Sequence, residues 1–292
     1  MKKSIQLIGL ICFLIGIPSH LYADRAHDLA KQAAKQKAVT GCDPASLTAL
    51  TCHTKFPTGC TESAHKYDAY LNFLKNQVPD SGWVSTAVLG KSDFVSLEGK
   101  VPSGLGSSNH AKSAPALAGF GEGNIVTVIA FLYFIEDTSK GANGSPSIGE
   151  TTNCKLQLAD SYDFHIGLGF DAVLAKQILK NKPQPIFGKP VEMDKTSVVA
   201  EMTPHTRGPK WTVARVNSLQ GQQVKVVGQL MIDNVHLNVK DDCSFPGAVA
   251  SCWRSTVWEV HPVAQFSVCN LKNKICDASS PDSAWTSLDD VP

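Results

Sequence analysis

Cysteine content constrains this chain more than any other feature of its 292 residues. Of nine cysteines, Cys12 lies inside the apolar run 5–17, which follows two lysines and precedes the small residue Ala23. That layout is typical of a secretory signal peptide, so we predict residues 1–23 as the signal and Asp24 as the start of the mature protein. The other eight form an even set and predict four disulfides. They are Cys42, Cys52, Cys60, Cys154, Cys243, Cys252, Cys269 and Cys276.

The cysteine spacing favours two local disulfides. Cys243 and Cys252 bracket one loop, and Cys269 and Cys276 bracket another. Local pairs are geometrically easy, but eight cysteines allow about a hundred pairings. The four remaining cysteines would then pair among themselves, and an early partner for Cys154 would join the beginning of the chain to its later part. No Cys-x-x-Cys occurs, which argues against a redox function.

Charge excludes several classes of protein. The chain has 27 lysines and arginines against 26 acidic residues, so it has no long-range field that would collect nucleic acid or an anionic membrane. Composition and cysteine usage together exclude a cytosolic enzyme, an integral membrane protein and a disordered protein. We therefore predict a secreted or periplasmic protein with no transmembrane segment in its mature chain.

The first third of the mature chain divides into two parts. Residues 24–80 favour a helical, cysteine-containing segment, in which Tyr67, Tyr70, Leu71 and Leu74 fall at helical spacing. These four residues form one apolar face, for which we predict core packing. Residues 81–122 are rich in Gly, Ser and Ala without a sustained period, which indicates a connector with one short strand around 94–97.

Residues 123–270 predict a barrel. A long apolar run at 125–135 is followed by alternating segments at 163–168 and 198–202, a helical pattern at 211–219, and two further alternating segments at 224–232 and 258–268. This order is typical of a five-stranded OB-like β-barrel with one helix between strands three and four, although a small sandwich has the same order. The fold class is therefore α+β. Residues 271–292 are predicted as a tail with a local disulfide.

Several of these segments together resemble a group of exported bacterial proteins of unknown function with an OB-like barrel domain. The segments are Asn153-Cys154, Asp163–Ile166, Glu201–His205, Val224–Asp233 and Trp258–Pro262. The resemblance covers residues 123–268 and says nothing about residues 24–122. It implies a barrel and no particular reaction, and it suggests that the polar residues of these segments belong together.

Polar residues of three predicted strands supply a candidate metal site. Strand alternation places them on the face opposite the core, where they could converge. Carboxylates and imidazoles are ligands for Zn²⁺ and similar divalent metals. Ordinary solvated or hydrogen-bonded strand residues show the same spacing, and no His-Glu-x-x-His occurs. The candidate residues are Asp163, His165, Glu201, His205, Glu259 and His261.

A local excess of basic residues supplies a second candidate site. It lies on the predicted helix and its flanks and includes one tryptophan, and OB barrels bind single-stranded nucleic acid with basic grooves and stacking aromatics. The candidates for an anionic ligand are Arg207, Lys210, Trp211, Arg215 and Lys225.

These observations predict an exported, disulfide-stabilised binding or interaction protein without an evident catalytic motif. One alternative is a metal-dependent hydrolase, either a phosphodiesterase or nuclease-like, that uses the histidine and carboxylate cluster. Another is a binder of single-stranded nucleic acid or anionic glycan. A divalent metal is the only cofactor that the residues suggest, and another exported protein or an anionic polymer is the kind of partner that they suggest.

Overall fold

The computed structural model describes residues 20–61, 68–81, 83–106, 109–137, 149–158, 160–181, 195–271 and 275–291. Most of the predicted signal peptide, including Cys12, lies outside these residues. The described residues contain seven α-helices. They are α1 (His20–Ala33), α2 (Ala49–Lys55), α3 (Ala69–Lys75), α4 (Lys91–Glu98), α5 (His110–Gly119), α6 (Ala172–Lys180) and α7 (Val213–Asn217).

Seven β-strands form one sheet, and five of them close into a barrel. The strands are β1 (Ala87–Leu89), β2 (Ile125–Asp137), β3 (Phe164–Gly169), β4 (Val198–Met202), β5 (Gln223–Ile232), β6 (Trp258–Cys269) and β7 (Trp285–Ser287). Around the barrel the order is β2, β3, β4, β6, β5 and back to β2. The β4–β6 pair is parallel and the other four barrel pairs are antiparallel. Strand β1 adds to β2 and β7 adds to β6.

Alternation along the strands fills the barrel interior, as predicted. Residues such as Ile166, Ala200 and Val260 belong to the main apolar core and are fully buried. The alternation predicted for β6 is interrupted at one point, where Val263 and not Ala264 joins this core, and it is confirmed again at Phe266 and Val268. The pairing register with β5 shifts at that point, beside Gly228, and a register shift exchanges the two faces of a strand.

The N-terminal helices pack on the outside of the barrel. Helix α3 begins after Asp68, whose carboxylate accepts the backbone N–H of Leu71. Its buried residues Tyr70, Leu71 and Leu74 contact α1, α5 and Met231 on β5. The core packing predicted for the helical spacing is therefore confirmed for these three residues, whereas Tyr67 lies outside the described residues.

The structure differs from prediction in the segment 81–122. The predicted strand around 94–97 is wrong, because these residues lie in helix α4, and α5 follows within the same segment. Phe94 and Leu97 are three residues apart and both pack into the main core. The high Gly and Ser content hid this pattern, since the apolar anchors are few but correctly spaced for a helix.

The helix expected near residues 211–219 is shorter than predicted. Helix α7 covers only Val213–Asn217 between β4 and β5, and Thr212 caps it by accepting the N–H of Arg215. Helix α6, between β3 and β4, was not predicted. It begins after Asp171, whose side chain caps two backbone N–H groups, and its buried Ala175 and Ile178 pack against Tyr133 on β2.

All eight cysteines of the described chain are paired. The bonds are Cys42–Cys60, Cys52–Cys154, Cys243–Cys252 and Cys269–Cys276. The two local pairs match the prediction, and Cys52–Cys154 joins α2 to the segment that leads into β3. Such a set of disulfides is typical of an oxidising compartment. None of the helices within the described residues is long and apolar enough to cross a membrane.

Candidate functional site

Three barrel strands bring outward-facing polar residues together. His165 on β3 is paired directly with Glu201 on β4, and Glu201 and His261 each follow the parallel pair Ala200–Val260. His165 Nε2 lies 3.0 Å from Glu201 Oε1, and His261 Nδ1 lies 2.9 Å from Glu201 Oε2. Glu201 is therefore the centre of the cluster.

Two more of the predicted residues join the cluster through His261. Glu259 Oε1 lies 3.1 Å from His261 Nδ1, and Asp163 Oδ2 lies 3.7 Å from His261 Nε2. Asp163, Glu201, Glu259 and His261 are at most 2% exposed, so they are not solvated strand residues. Five of the six residues predicted as metal ligands thus converge in one buried cluster.

His205 is the predicted residue that has a different environment. Its ring stacks on that of His53, with centroids 4.0 Å apart. Burial, together with the neighbouring charges of His53 and His261, lowers the pKa of His205 to about 3. His205 is therefore neutral. It does not belong to either of the two groups of three possible metal ligands found among the described residues.

Sequence reasoning missed the cation of the cluster, Lys75. Lys75 is the last residue of α3, and the sequence predicts a solvent-exposed lysine at this helix end. Helix α3 instead packs over the barrel, and the ammonium group lies among three carboxylates. Lys75 Nζ lies 2.7 Å from Asp233 Oδ2, 3.9 Å from Glu259 Oε1 and 4.0 Å from Glu201 Oε2.

Arg254 and Glu150 were also missed. Arg254 is fully buried, and its NH1 group lies 3.1 Å from Glu259 Oε2. Glu150 Oε2 accepts hydrogen bonds from Asn153 Nδ2 at 2.7 Å and from the backbone N–H of Asp163 at 3.2 Å. Both residues belong to loops, where neither alternation nor helical spacing provides a signal.

The protonation states follow from burial and neighbouring charge. Burial by itself would raise the pKa of Glu201, but His165, Lys75 and His261 outweigh it and hold the pKa well below its usual range. Burial would lower the pKa of both histidines, yet Glu201 raises that of His165 to about 9 and that of His261 to about 10. Glu201 is thus ionised between charged partners.

Two carboxyl groups of the cluster are crowded by others. Burial raises the pKa of Glu150 to about 7, and the charges of Asp163 and Glu201 contribute to the rise. Burial also raises the pKa of Asp163, and His261 only partly compensates for it. Negative charge is therefore in excess on the side of the cluster where Glu150 and Asp163 meet.

A polar cavity of about 270 Å³ opens onto this side. It lies between α3, the segment that precedes β3, and the segment that follows β5. Its ionisable lining residues are Asp68, Lys75, Glu150, Asp163, His165, Glu201, Asp233 and His236. At one side, the indole of Trp253 stacks on His165 with ring centroids 6.3 Å apart.

Two groups of three residues have the composition and spacing of metal ligands. Asp163, Glu201 and His261 each offer one ligand atom within 4.8 Å of the others, and so do Glu201, Asp233 and Glu259. The Lys75 ammonium already lies within 4.0 Å of a carboxylate oxygen of each member of the second group.

The residues predicted for an anionic ligand have partners within the protein. Arg207 lies over the ring of Phe164 and donates to backbone carbonyls, including that of Asp160 at 2.8 Å. Lys210 and Trp211 both donate to Asp289, which belongs to the C-terminal tail.

The other two residues of this predicted set also differ in environment. Lys225 lies 3.5 Å from Asp282 and over the ring of Trp285, while Arg215 is half-buried on α7. Within the described residues, these five residues thus have several separate sets of neighbours.

Comparison with known protein families, with characterised proteins and with solved structures finds no match for this chain.

Proposed function

We propose that this is an exported binding protein, secreted or periplasmic, and that the polar cavity is its ligand site. We also propose that its barrel is OB-like and that it belongs to the group of exported bacterial proteins that its barrel segments resemble. Numbered along the chain, the barrel strands close in the order 1-2-3-5-4-1 with a parallel 3–5 pair, which supports the OB assignment. Helix α7 then occupies the connection between strands three and four, as that assignment requires.

The position of the cavity supports a binding function. OB barrels bind ligands on the face of strands two and three and on the connecting loops 1–2 and 4–5. Here His165 and Glu201 come from those two strands, Glu150 from the first loop, and Asp233 and His236 from the second. Helix α3 covers the same face, so the site is a small cavity rather than an open groove for a polymer.

The observation that carries the proposal is the excess of acid in this cavity. Five carboxyl groups line it against one lysine and two histidines, and the lysine is already bound to Asp233. Buried carboxylates that crowd one another are stabilised by a cation. The ligand that fits is therefore a small cation, either a metal ion or a compact organic ammonium group.

Calorimetric titration tests this function. The protein is titrated with spermidine, arginine, Zn²⁺, Mn²⁺ and Ca²⁺, and with citrate as an anionic comparison. We expect at least one cation to bind and citrate not to bind. Asp163→Asn should weaken that binding at least tenfold, whereas Asp282→Asn, which removes an exposed carboxylate, should leave it unchanged. Binding of citrate alone, or no binding at all, would exclude a cation site.

One observation favours a second function, hydrolysis. A carboxyl group with a pKa near 7 is suited to proton transfer at neutral pH, and Glu150 is held at about 7 in the same cavity. A metal-dependent phosphodiesterase is the reaction class that this residue set allows. The test is turnover of bis-(p-nitrophenyl) phosphate in the presence of Mn²⁺. Turnover that is lost in Glu150→Gln and retained in Asp282→Asn would support hydrolysis. No turnover by the wild-type protein would exclude hydrolysis and leave binding as the proposed function.

A further inference from the structure

We propose that Asp163, Glu201 and His261 form a binding site for one divalent transition metal. This inference rests on the proposed function of the cavity as a cation site and identifies the cation. Glu201 and His261 come from β4 and β6, and Asp163 immediately precedes β3, so the barrel fixes their relative positions. Each provides one ligand atom within 4.8 Å of the other two.

The spacing of His261 and Asp163 is that of two ligands of one metal. His261 Nε2 lies 3.7 Å from Asp163 Oδ2, which is too long for a hydrogen bond. Two metal bonds of about 2.1 Å that meet at about 110–120° separate their donor atoms by about 3.4–3.6 Å. A metal ion between these two atoms requires a small adjustment of the side chains and the release of the proton from His261 Nε2, because only a neutral imidazole nitrogen binds a metal.

The environment of His261 provides an independent indication. The residue is fully buried, and its Nε2 atom has no hydrogen-bond partner among the residues that the structure describes. Its other ring nitrogen, Nδ1, lies 3.1 Å from Glu259 Oε1 and 2.9 Å from Glu201 Oε2. In many metal-binding histidines a carboxylate on one ring nitrogen orients the imidazole so that the other nitrogen faces the metal. Glu259 is the carboxylate that would have this role here, because it is not one of the three ligands.

The neighbouring group of carboxylates explains why one metal is expected rather than two. Lys75 already supplies positive charge to Glu201, Asp233 and Glu259. Asp163 accepts a hydrogen bond from Asn153 Nδ2 at 3.3 Å and lies 3.7 Å from the His261 ring. The atom without a hydrogen-bond partner is His261 Nε2, which is on the side of Asp163, so the metal is expected on this side of the cluster.

The ligand chemistry selects the class of metal. One imidazole and two carboxylates suit Zn²⁺, Mn²⁺ or Co²⁺, whereas Ca²⁺ and Mg²⁺ prefer oxygen ligands alone. Asp163 and Glu201 also line the cavity, so a metal held by them faces it. Three protein ligands leave further coordination positions for water or for a small ligand in the cavity.

Metal titration of protein purified without a histidine tag and treated with a chelator tests the proposal. We expect one equivalent of Zn²⁺ or Mn²⁺ to bind by calorimetry and one equivalent of Co²⁺ to give a d–d absorption band. Asp163→Asn and His261→Gln should each weaken binding at least tenfold. His27→Gln is the matched control, because His27 is exposed on α1 and does not line the cavity, and this variant should bind as the wild type does.

Each other outcome counts against the metal site. Binding of Ca²⁺ or Mg²⁺ alone, or equal affinity in Asp163→Asn and wild type, would overturn it. If His261→Gln does not fold by circular dichroism, the nearly isosteric Asp163→Asn decides the question. Binding of spermidine or arginine without any transition metal would overturn this inference and keep the proposed function, whereas no cation binding would remove both.

Discussion

Lys75 Nζ lies 2.7 Å from Asp233 Oδ2, and this ion pair joins the end of helix α3 to the residue after strand β5. Both side chains are shielded from solvent, at 12% and 1% exposure. Burial would lower the pKa of Lys75, but Asp233 and two glutamates raise it well above its usual value. The ammonium is therefore charged and holds the helical layer on the barrel.

Lys75→Met should destabilise the protein strongly. Loss of one partner of a buried ion pair leaves an uncompensated buried charge, which costs about 3–5 kcal/mol, to be measured by urea unfolding at pH 7. Lys31→Met is the control, since the ion pair of Lys31 with Asp28 is exposed and such pairs contribute little. Equal effects of the two substitutions would contradict the importance of the buried pair.

His110 predicts a pH dependence of stability. Burial would lower its pKa, but the Glu122 carboxylate, 2.8 Å from Nε2, outweighs burial and raises it above 6.5. The protonated pair therefore stabilises the fold fully below about pH 6.5, and this stabilisation is lost as pH rises through the raised pKa. Glu122→Gln should cost about 1.5–3 kcal/mol at pH 6 and less at pH 9.

Unfolding of the wild type and of Glu122→Gln across this pH range provides the measurement. In a His110→Gln background the same glutamate substitution should show no such trend, because the titrating partner is absent. A difference that stayed constant, or grew with pH, would show that His110 is not the group responsible.

The disulfides should contribute unequally to stability. Cys52–Cys154 closes a loop with a sequence separation of 102, and Cys269–Cys276 closes one with a separation of 7. Chain entropy predicts a loss of about 4–5 kcal/mol for Cys52→Ala with Cys154→Ala, and about 2 kcal/mol for Cys269→Ala with Cys276→Ala. Thermal and urea unfolding of the two double variants tests this order, and the reverse order would contradict the entropic explanation.

A close contact between two strands makes Gly167 sensitive to substitution. Phe134 on β2 is paired with Gly167 on β3, and an added Cβ at Gly167 would lie 2.0 Å from the Phe134 ring. Gly167→Ala should therefore displace the ring and cost about 1–3 kcal/mol. Gly104→Ala is the matched control, because a Cβ there meets nothing within 4 Å. An unchanged unfolding midpoint for Gly167→Ala would show that the ring moves without cost.

The sequence alone was enough to predict the local features of this fold. A continuous apolar run identified the first barrel strand, and period-two alternation identified the other four. Alternation also placed His165, Glu201 and His261 on the face opposite the core, because successive side chains of a strand point to opposite faces. The even number of cysteines predicted four disulfides, and loop length indicated the two local pairs. Helix α4 was not predicted, because only two apolar residues, Phe94 and Leu97, pack from it into the core.

The tertiary structure decided which distant residues meet. Lys75 precedes its partner Asp233 by 158 residues, and Cys52 precedes Cys154 by 102. No local period records such contacts, because they depend on how α3 packs across β5 and the strands beside it. Alternation alone would assign the outward face of these strands to solvent. Helix α3 covers this face, and the polar residues therefore line a buried cavity. Burial there makes each unpaired charge costly, and the charged residues of the cluster, such as Glu201 and His261, are therefore paired with one another.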